Sequence, residues 1–396
     1  MITDFRSRAA SATCVLCVAG VIAFAPVAAA AGAEPTPPAP ARAGLPQPSY
    51  LYREGTVVRP HRNAPGLPDV SALSWLVSDA RTGEVLAAHD AHRALPPAST
   101  LKTLFALTVL PVLPADLQHT VDEEEMADIG PGSSRVGVAE GHTYRVSDLW
   151  RGVFLNSGND AVDVLASMNG GWHRTAEQMQ AKARSLGALD TQVRSPDGYD
   201  MPGQVSSAYD LAVFGREGLR DPAFASYCDT AEASFPGGGG WSYGIRNTNR
   251  LLTGADGVEP YPGLIGVKNG YTSNAGNTLV AAARRDGRTL VVTVMNPQEG
   301  GGFAVYEEAR RLLDWGFAAA GLVEPVGSLD GLRVRSRPGP GLHATPVAGP
   351  HATPVAVAPD GGPGWPTAGV VSGAVVLGAV AVALVLRAKG RLSARS

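Results

Sequence analysis

The sequence predicts an α+β fold in which one antiparallel sheet is assembled from both ends of a single large domain, with helices between the two sets of strands. Three observations carry this. Near the start of the domain, Trp75–Val77 and Glu84–Ala88 flank Asp79-Ala80-Arg81-Thr82-Gly83, which is two apolar runs around a Gly turn and so a β-hairpin. The middle reads as helices: Ser99 to Leu110 after the stop at Pro96-Pro97-Ala98, a helix capped by Ser147-Asp148 and running through Val153, and further helices over 173–186 and 206–219. Toward the end, Gly263 to Val280 and Thr289 to Met295 read as strands, with Asp286-Gly287 as the turn. Glu307 to Phe317 reads as a closing helix.

The ends of the chain predict the compartment. Arg6 and Arg8 precede an apolar run to about Val27, and Ala28 to Ala33 are small, the order of a secretory signal peptide over residues 1–33. Residues 34–49 form a Pro-rich arm, 50–335 the large domain, and 336–367 a Pro/Gly/Ala-rich linker. The linker repeats His343-Ala344-Thr345-Pro346-Val347-Ala348 as His351-Ala352-Thr353-Pro354-Val355-Ala356, read as duplicated spacer. Residues 368–386 are uncharged and apolar, long enough at ~1.5 Å per residue to span a ~30 Å hydrocarbon core. Arg387, Lys389, Arg391 and Arg395 follow in the tail, 387–396, and place it in the cytoplasm. The expectation is a cell-membrane protein with one C-terminal transmembrane helix and an extracytoplasmic, monomeric domain.

Composition excludes more than it selects. The net charge is −3 and no basic stripe is present, which argues against a nucleic-acid partner. No metal motif and no nucleotide loop is present, so no cofactor or metal is expected. Cys14 and Cys17 leave with the signal, and Cys228 alone remains, read as a small core residue.

Lysine usage points to the chemistry. Lys and Arg number 33 together, and only four of these are lysine: Lys102, Lys182, Lys268 and Lys389. Arg stays protonated at any working pH, whereas a desolvated Lys loses its proton and acts as a base. Lys102 stands three residues after Ser99 at a helix start, so both side chains share a face and the serine lies in the positive field of the helix N-terminus. Ser157-Gly158-Asn159 sets a hydroxyl and an amide two apart around Gly. Lys268-Asn269-Gly270-Tyr271-Thr272 lies on a predicted strand, where Gly270 permits close approach of a backbone. A second serine motif, Gly240-Trp241-Ser242-Tyr243-Gly244, matches a Gly-x-Ser-x-Gly elbow. That elbow requires a downstream His, and the only ones are His343 and His351 in the linker.

Ser-x-x-Lys, Ser-x-Asn and Lys-x-Gly in this order resemble the penicillin-recognising serine enzymes. Asp79 to Leu86, Pro96 to Thr100, Leu155 to Ala161, Ser207 to Ala212, Asn247 to Leu252, Lys268 to Asn277 and Leu312 to Phe317 resemble the D-alanyl-D-alanine carboxypeptidases within them. The resemblance covers roughly residues 70–317. It implies a β-lactamase/transpeptidase-like fold and a serine peptidase that removes the terminal D-alanine from peptidoglycan stem peptides and is acylated by β-lactams. By that resemblance Ser99 is the nucleophile, Lys102 its base and Ser157 a proton relay. Asn159 holds the substrate amide, Lys268 and Asn269 face the terminal carboxylate, and the N–H groups of Ser99 and Tyr271 form the oxyanion hole, with Gly270 and Thr272 completing the binding strand. Two departures stand out. Asn269 replaces the usual Thr, and Met295 to Gly300 holds no Arg where the family often has one. A class A β-lactamase would need a deacylating Glu, and Val193 to Asp197 has none. The alternatives are a D,D-endopeptidase acting on cross-links through the same residues, or a catalytically inactive cell-wall peptide-binding module.

Overall fold

The computed structural model describes residues 50–331 apart from 127, 128 and 131. The segments expected as signal peptide, Pro-rich arm, linker, transmembrane helix and tail lie outside the described residues. Among those described, no helix is long and apolar enough to cross a membrane.

In chain order the strands and helices are β1 (Thr56–Pro60), β2 (Ala72–Asp79), β3 (Glu84–His89), α1 (Lys102–Val109), β4 (Gln118–Thr120), β5 (Thr143–Arg145), α2 (Val146–Leu155), α3 (Asn159–Met168), α4 (Trp172–Ser185), α5 (Ala208–Gly218), α6 (Pro222–Asp229), β6 (Glu232–Gly238), β7 (Trp241–Arg246), α7 (Arg250–Thr253), β8 (Leu264–Thr272), β9 (Gly276–Arg285), β10 (Arg288–Pro297), α8 (Ala304–Ala319), β11 (Val323–Glu324) and β12 (Gly327–Ser328). The main sheet runs β11-β1-β3-β2-β10-β9-β8, with β12 on β3. Its pairs are antiparallel, and β2 from the N-terminal end lies against β10 from the C-terminal end, Val77 opposite Val292. This is the sheet built from both ends that the sequence predicts.

Both faces of the sheet are covered, so β9 and β10 are buried through their centres and read as continuous apolar runs rather than alternating ones. On one face Leu279, Ala281, Leu290 and Val292 pack against Leu312, Leu313 and Trp315 of α8. On the other, Val280, Ala282 and Val291 join Phe214 of α5 and the helical subdomain.

Three expectations shift in detail. The stretch 263–280 is not one strand: β8 ends at Thr272 and β9 begins at Gly276, a tight hairpin that turns the edge strand back into the sheet. Ser147-Asp148 is not the cap of α2, because the helix starts at Val146 after an extended Arg145 that makes no side-chain cap. Asp148 lies in the first turn, where its charge suits the helix dipole. The helix expected from Ser99 begins as a 3-10 turn over Ala98–Leu101, and α-geometry starts at Lys102. Missed in the sequence are β1, β4, β5, α3, α6, the β6–β7 hairpin, α7, β11 and β12.

Candidate active site

Pro97 ends the chain's approach to the cleft, and Ala98 enters the left-handed region at φ 49°. That is a strained conformation for a residue with a β-carbon, and it sits directly before Ser99. The 3-10 turn is locked by Thr100, whose hydroxyl donates to the Pro97 carbonyl at 2.5 Å, and by Thr278 of β9, which donates to the same carbonyl at 2.9 Å. The nucleophile loop is thus tied to the sheet by a residue far away in sequence.

Lys102 is buried and its ammonium makes three hydrogen bonds: to Ser99 Oγ at 2.8 Å, to Asn159 Oδ1 at 2.7 Å and to the Asp197 carbonyl at 2.7 Å. Burial pulls its pKa down to about 8, partly opposed by the charges of Asp197, Asp163 and Asp160. A value one unit above neutrality leaves a usable neutral fraction at the hydroxyl it faces. The Asp197 carboxylate itself is committed to Ser195 Oγ and the Tyr199 amide.

Ser157 and Asn159 flank Gly158 at the start of α3. Ser157 also adopts positive φ, 57°, and its buried hydroxyl finds no hydrogen-bond partner among the described residues. Leaving such a group unpaired costs on the order of 1–3 kcal/mol, which a bound substrate atom would recover. The turn is held from behind by Asp160. This fully buried carboxylate accepts from the amides of Val136, Gly137, Val138 and Ala161 at 2.8–3.0 Å.

Lys268 lies on the edge strand β8 yet points inward and is buried. Its ammonium donates to the Asn269 carbonyl at 2.8 Å. Burial first, and then the positive charge of Lys102, lower its pKa to about 7; Cys228 partly opposes this. Cys228 is a fully buried core residue, as the sequence predicts, with its thiol pKa pushed well up by burial. The Asn269 side-chain oxygen accepts from Thr248 Oγ1 at 3.0 Å, which leaves its NH2 as a donor. The Tyr306 hydroxyl donates to the Thr248 carbonyl at 3.3 Å, and Arg250 Nη1 donates to the Tyr306 hydroxyl at 3.2 Å. The guanidinium joined to the Asn269 network therefore comes from α7, not from Met295 to Gly300. Arg250 Nε is also paired with Asp256 at 2.7 Å.

Gly270 is required by close approach, since a β-carbon there would stand 2.6 Å from the Ser99 backbone nitrogen. This contact sets the end of β8 beside the Ser99 amide, where an oxyanion hole shared with Tyr271 is expected. Tyr271 is exposed. Thr272 Oγ1 donates to Asp200 Oδ1 at 2.7 Å and so ties β8 to the loop after Asp197.

The structure thus joins Ser99, Lys102 and Asn159 by direct hydrogen bonds and sets Gly270 against Ser99. Ser157 bonds neither Ser99 nor Lys102. Sequence reasoning missed Asp160, the Asp197 carbonyl, Thr248, Asp200 and Tyr306. A backbone carbonyl carries no side-chain signal, and the others act only through contacts with residues distant in sequence.

Known proteins are similar to this chain in sequence and fold. A family model described as D-alanyl-D-alanine carboxypeptidase matches residues 61–299. The D-alanyl-D-alanine carboxypeptidase DacB2 of Mycobacterium tuberculosis is 42% identical over 264 residues, which are 66% of this chain and 87% of that protein. DacD of Escherichia coli is 36% identical over 266 residues, and the match spans 64% of this chain but only 65% of the relative. Among solved structures, a D-alanyl-D-alanine carboxypeptidase from M. tuberculosis H37Rv superposes with a TM-score of 0.63 at 38% identity, covering 69% of this chain and 100% of the other. The Streptomyces K15 DD-transpeptidase does so at 0.59 and 26% identity, over 64% and 100%.

Proposed function

The chain belongs to the D-alanyl-D-alanine carboxypeptidase family, and from that premise we propose that it removes the terminal D-alanine from peptidoglycan stem peptides ending in D-Ala-D-Ala, through an acyl-enzyme on Ser99. Neutral Lys102 takes the Ser99 proton as Oγ attacks the carbonyl between the two D-alanines. The oxyanion meets the N–H groups of Ser99 and Tyr271. Ser157 passes a proton to the departing D-alanine nitrogen, the C–N bond breaks, and water then cleaves the ester to free the shortened peptide and Ser99. Asn269 and the protonated fraction of Lys268 receive the substrate carboxylate. β-Lactams acylate the same serine.

The observation that carries this reading is the 2.8 Å hydrogen bond between Ser99 Oγ and a buried lysine whose pKa lies near 8. The terminal segments of the sequence support secretion across the membrane and a C-terminal anchor, with the catalytic domain outside acting as a monomer. The test is mass spectrometry of a muropeptide pentapeptide incubated with the protein and with Ser99→Ala. Loss of one alanine only when Ser99 is present is expected. Cleavage of cross-linked dimers with intact pentapeptide would instead make it an endopeptidase, and no cleavage of either would leave a binding module.

A further inference from the structure

The β6–β7 hairpin carries the most exposed tryptophan side chain among the described residues, and the active-site chemistry does not use it. Trp241 is 59% exposed, unusual for an indole in a folded domain. It is nevertheless held in place. The ring lies on the backbone of Gly237, where a β-carbon would stand 2.6 Å away, and its other neighbour is Tyr243, centroids 5.4 Å apart. Glycine at 237 thus turns a loose surface side chain into a fixed platform. The platform borders a groove of about 470 Å³ between the hairpin and the segment Gly141–Tyr144.

The lining of this groove is polar, and its one carboxylate is paired. Ser234 and Ser242 offer hydroxyls that hydrogen-bond each other at 2.9 Å on the exposed side, and His142, whose Nδ1 meets the Glu140 carbonyl at 3.0 Å, also lines the groove. Asp148, its one carboxylate, is already paired with Arg151 at 2.6 Å. A flat indole with hydroxyl and imidazole groups around it, and no unpaired charge, suits a neutral sugar ring. The C–H face of a pyranose stacks on the negative π-face while its hydroxyl and acetamido groups exchange hydrogen bonds with the rim. It does not suit a phosphate or a free carboxylate.

The position of the groove argues for the same occupant. The hairpin is continuous with the active-site wall: Tyr243 donates to the Val136 carbonyl, Asp160 binds the amides of Val136 to Val138, and Asn159 donates its own amide to Ser134. Helix α2 begins beside the groove, next to Tyr144, and ends just before Ser157. Its 10 residues span ~15 Å at ~1.5 Å each. An extended pentapeptide reaches ~17 Å at ~3.4 Å per residue. Four of those residues lie on the acyl side of the scissile bond and reach ~14 Å, about the length of α2, so a stem laid along this wall brings its other end, and the amino sugar attached there, toward Trp241.

Given the stem-peptide substrate proposed above, we propose that this groove is a saccharide subsite that binds the N-acetylated amino sugar carrying the stem. The test uses the full chain and two substrates, free pentapeptide and its disaccharide-linked form. The glycan-linked form is expected to show a KM about tenfold lower at equal kcat. Trp241→Ala is expected to bring that KM up to the value for free pentapeptide, and Trp241→Phe to keep part of the advantage. Equal KM values in the wild type, or a Trp241→Ala loss shared equally by both substrates, overturn the subsite. Titration with a β-1,4-linked N-acetylglucosamine tetrasaccharide, read by tryptophan fluorescence and calorimetry, decides the same point without turnover. A wild-type signal absent from Trp241→Ala supports the groove even if neither peptide is cleaved, which would fault only the activity assignment. No signal in the wild type overturns it.

Discussion

Two buried polar clusters in this molecule invite comparison: the lysine cleft of Ser99, Lys102 and Lys268, and an acidic cluster around Asp210 at the start of α5. Both shift pKa values by burial, in opposite directions. Burial and the neighbouring charge of Asp190 raise Asp210 to about 7, while Thr191 hydrogen bonds pull against them. Thr191 Oγ1 donates to Asp210 Oδ2 at 2.6 Å, and Asp190 Oδ2 accepts from Ser207 Oγ and meets His92 Nδ1, both at 2.7 Å. His92 is stacked on Tyr52 and faces Tyr209. A perturbed pKa alone would nominate both clusters as sites. Each also leaves a buried polar atom unpaired, Ser157 Oγ in the cleft and Asp210 Oδ1 in the acidic cluster, so what separates them is the Ser99 hydroxyl held against the Lys102 ammonium at 2.8 Å. In the acidic cluster the Ser207 hydroxyl is spent on structure, donating to Asp190 Oδ2 and accepting from the Asp210 amide as the N-cap of α5, and the cluster ties α5 to the strand-and-loop layer around Thr191.

The comparison breaks most sharply on Lys102. Lys102→Arg keeps the charge and removes the base, so kcat/KM for D-Ala-D-Ala peptide and the rate of acylation by a labelled penicillin are expected to fall by ~10³–10⁴, as for Ser99→Ala. Retained acylation in the arginine variant would remove lysine from the base role. In the wild type, kcat/KM is expected to be bell-shaped with a maximum between pH 7 and 8, because activity gained as Lys102 deprotonates around 8 is offset by loss of the Lys268 proton around 7.

Lys268→Met is the next largest. It removes an ammonium from the cleft and is expected to lower kcat/KM by ~10². It also relieves an ammonium buried beside another cation, so denaturant unfolding at pH 7 is expected to show a gain of about 1–4 kcal/mol. A loss of both activity and stability would mean that Lys268 holds the fold together.

The two clusters also titrate stability in opposite senses. Depressed lysine values favour the folded state above ~10.4, and that contribution is lost as pH falls through 8 and 7. The raised Asp210 value favours folding below ~4, and that contribution is lost as pH rises through 7. Asp210→Asn is therefore expected to add about 1–2 kcal/mol at pH 8, flatten the stability profile between pH 4 and 8, and leave kcat within twofold. A large fall in kcat would join the acidic cluster to catalysis.

The smallest effect concerns carboxylate binding. Arg250→Gln is expected to raise KM three- to tenfold with kcat little changed. Asp256→Asn releases Arg250 from its partner and is expected to lower KM. Asn269→Thr is likewise expected to move KM more than kcat. The same direction for the Arg250 and Asp256 variants would exclude Arg250 from the carboxylate network.

What the sequence by itself determined is the local chemistry: the Ser99–Lys102 spacing, the Ser157–Asn159 turn, the strand placing Gly270, and the apolar runs that make a sheet from both ends of the domain. These features are legible because each depends on residues a few positions apart. Tertiary structure decided what those residues became. Lys102 is desolvated against Ser99 because Asn159 and the Asp197 carbonyl, 57 and 95 residues away, hold it in a buried cleft. Arg250 joins Asn269 through Tyr306 on α8 and Thr248, and Trp241 became a fixed platform because a glycine lets the hairpin close beneath it. Burial and long-range pairing set dielectric and orientation, and no short stretch of sequence carries either.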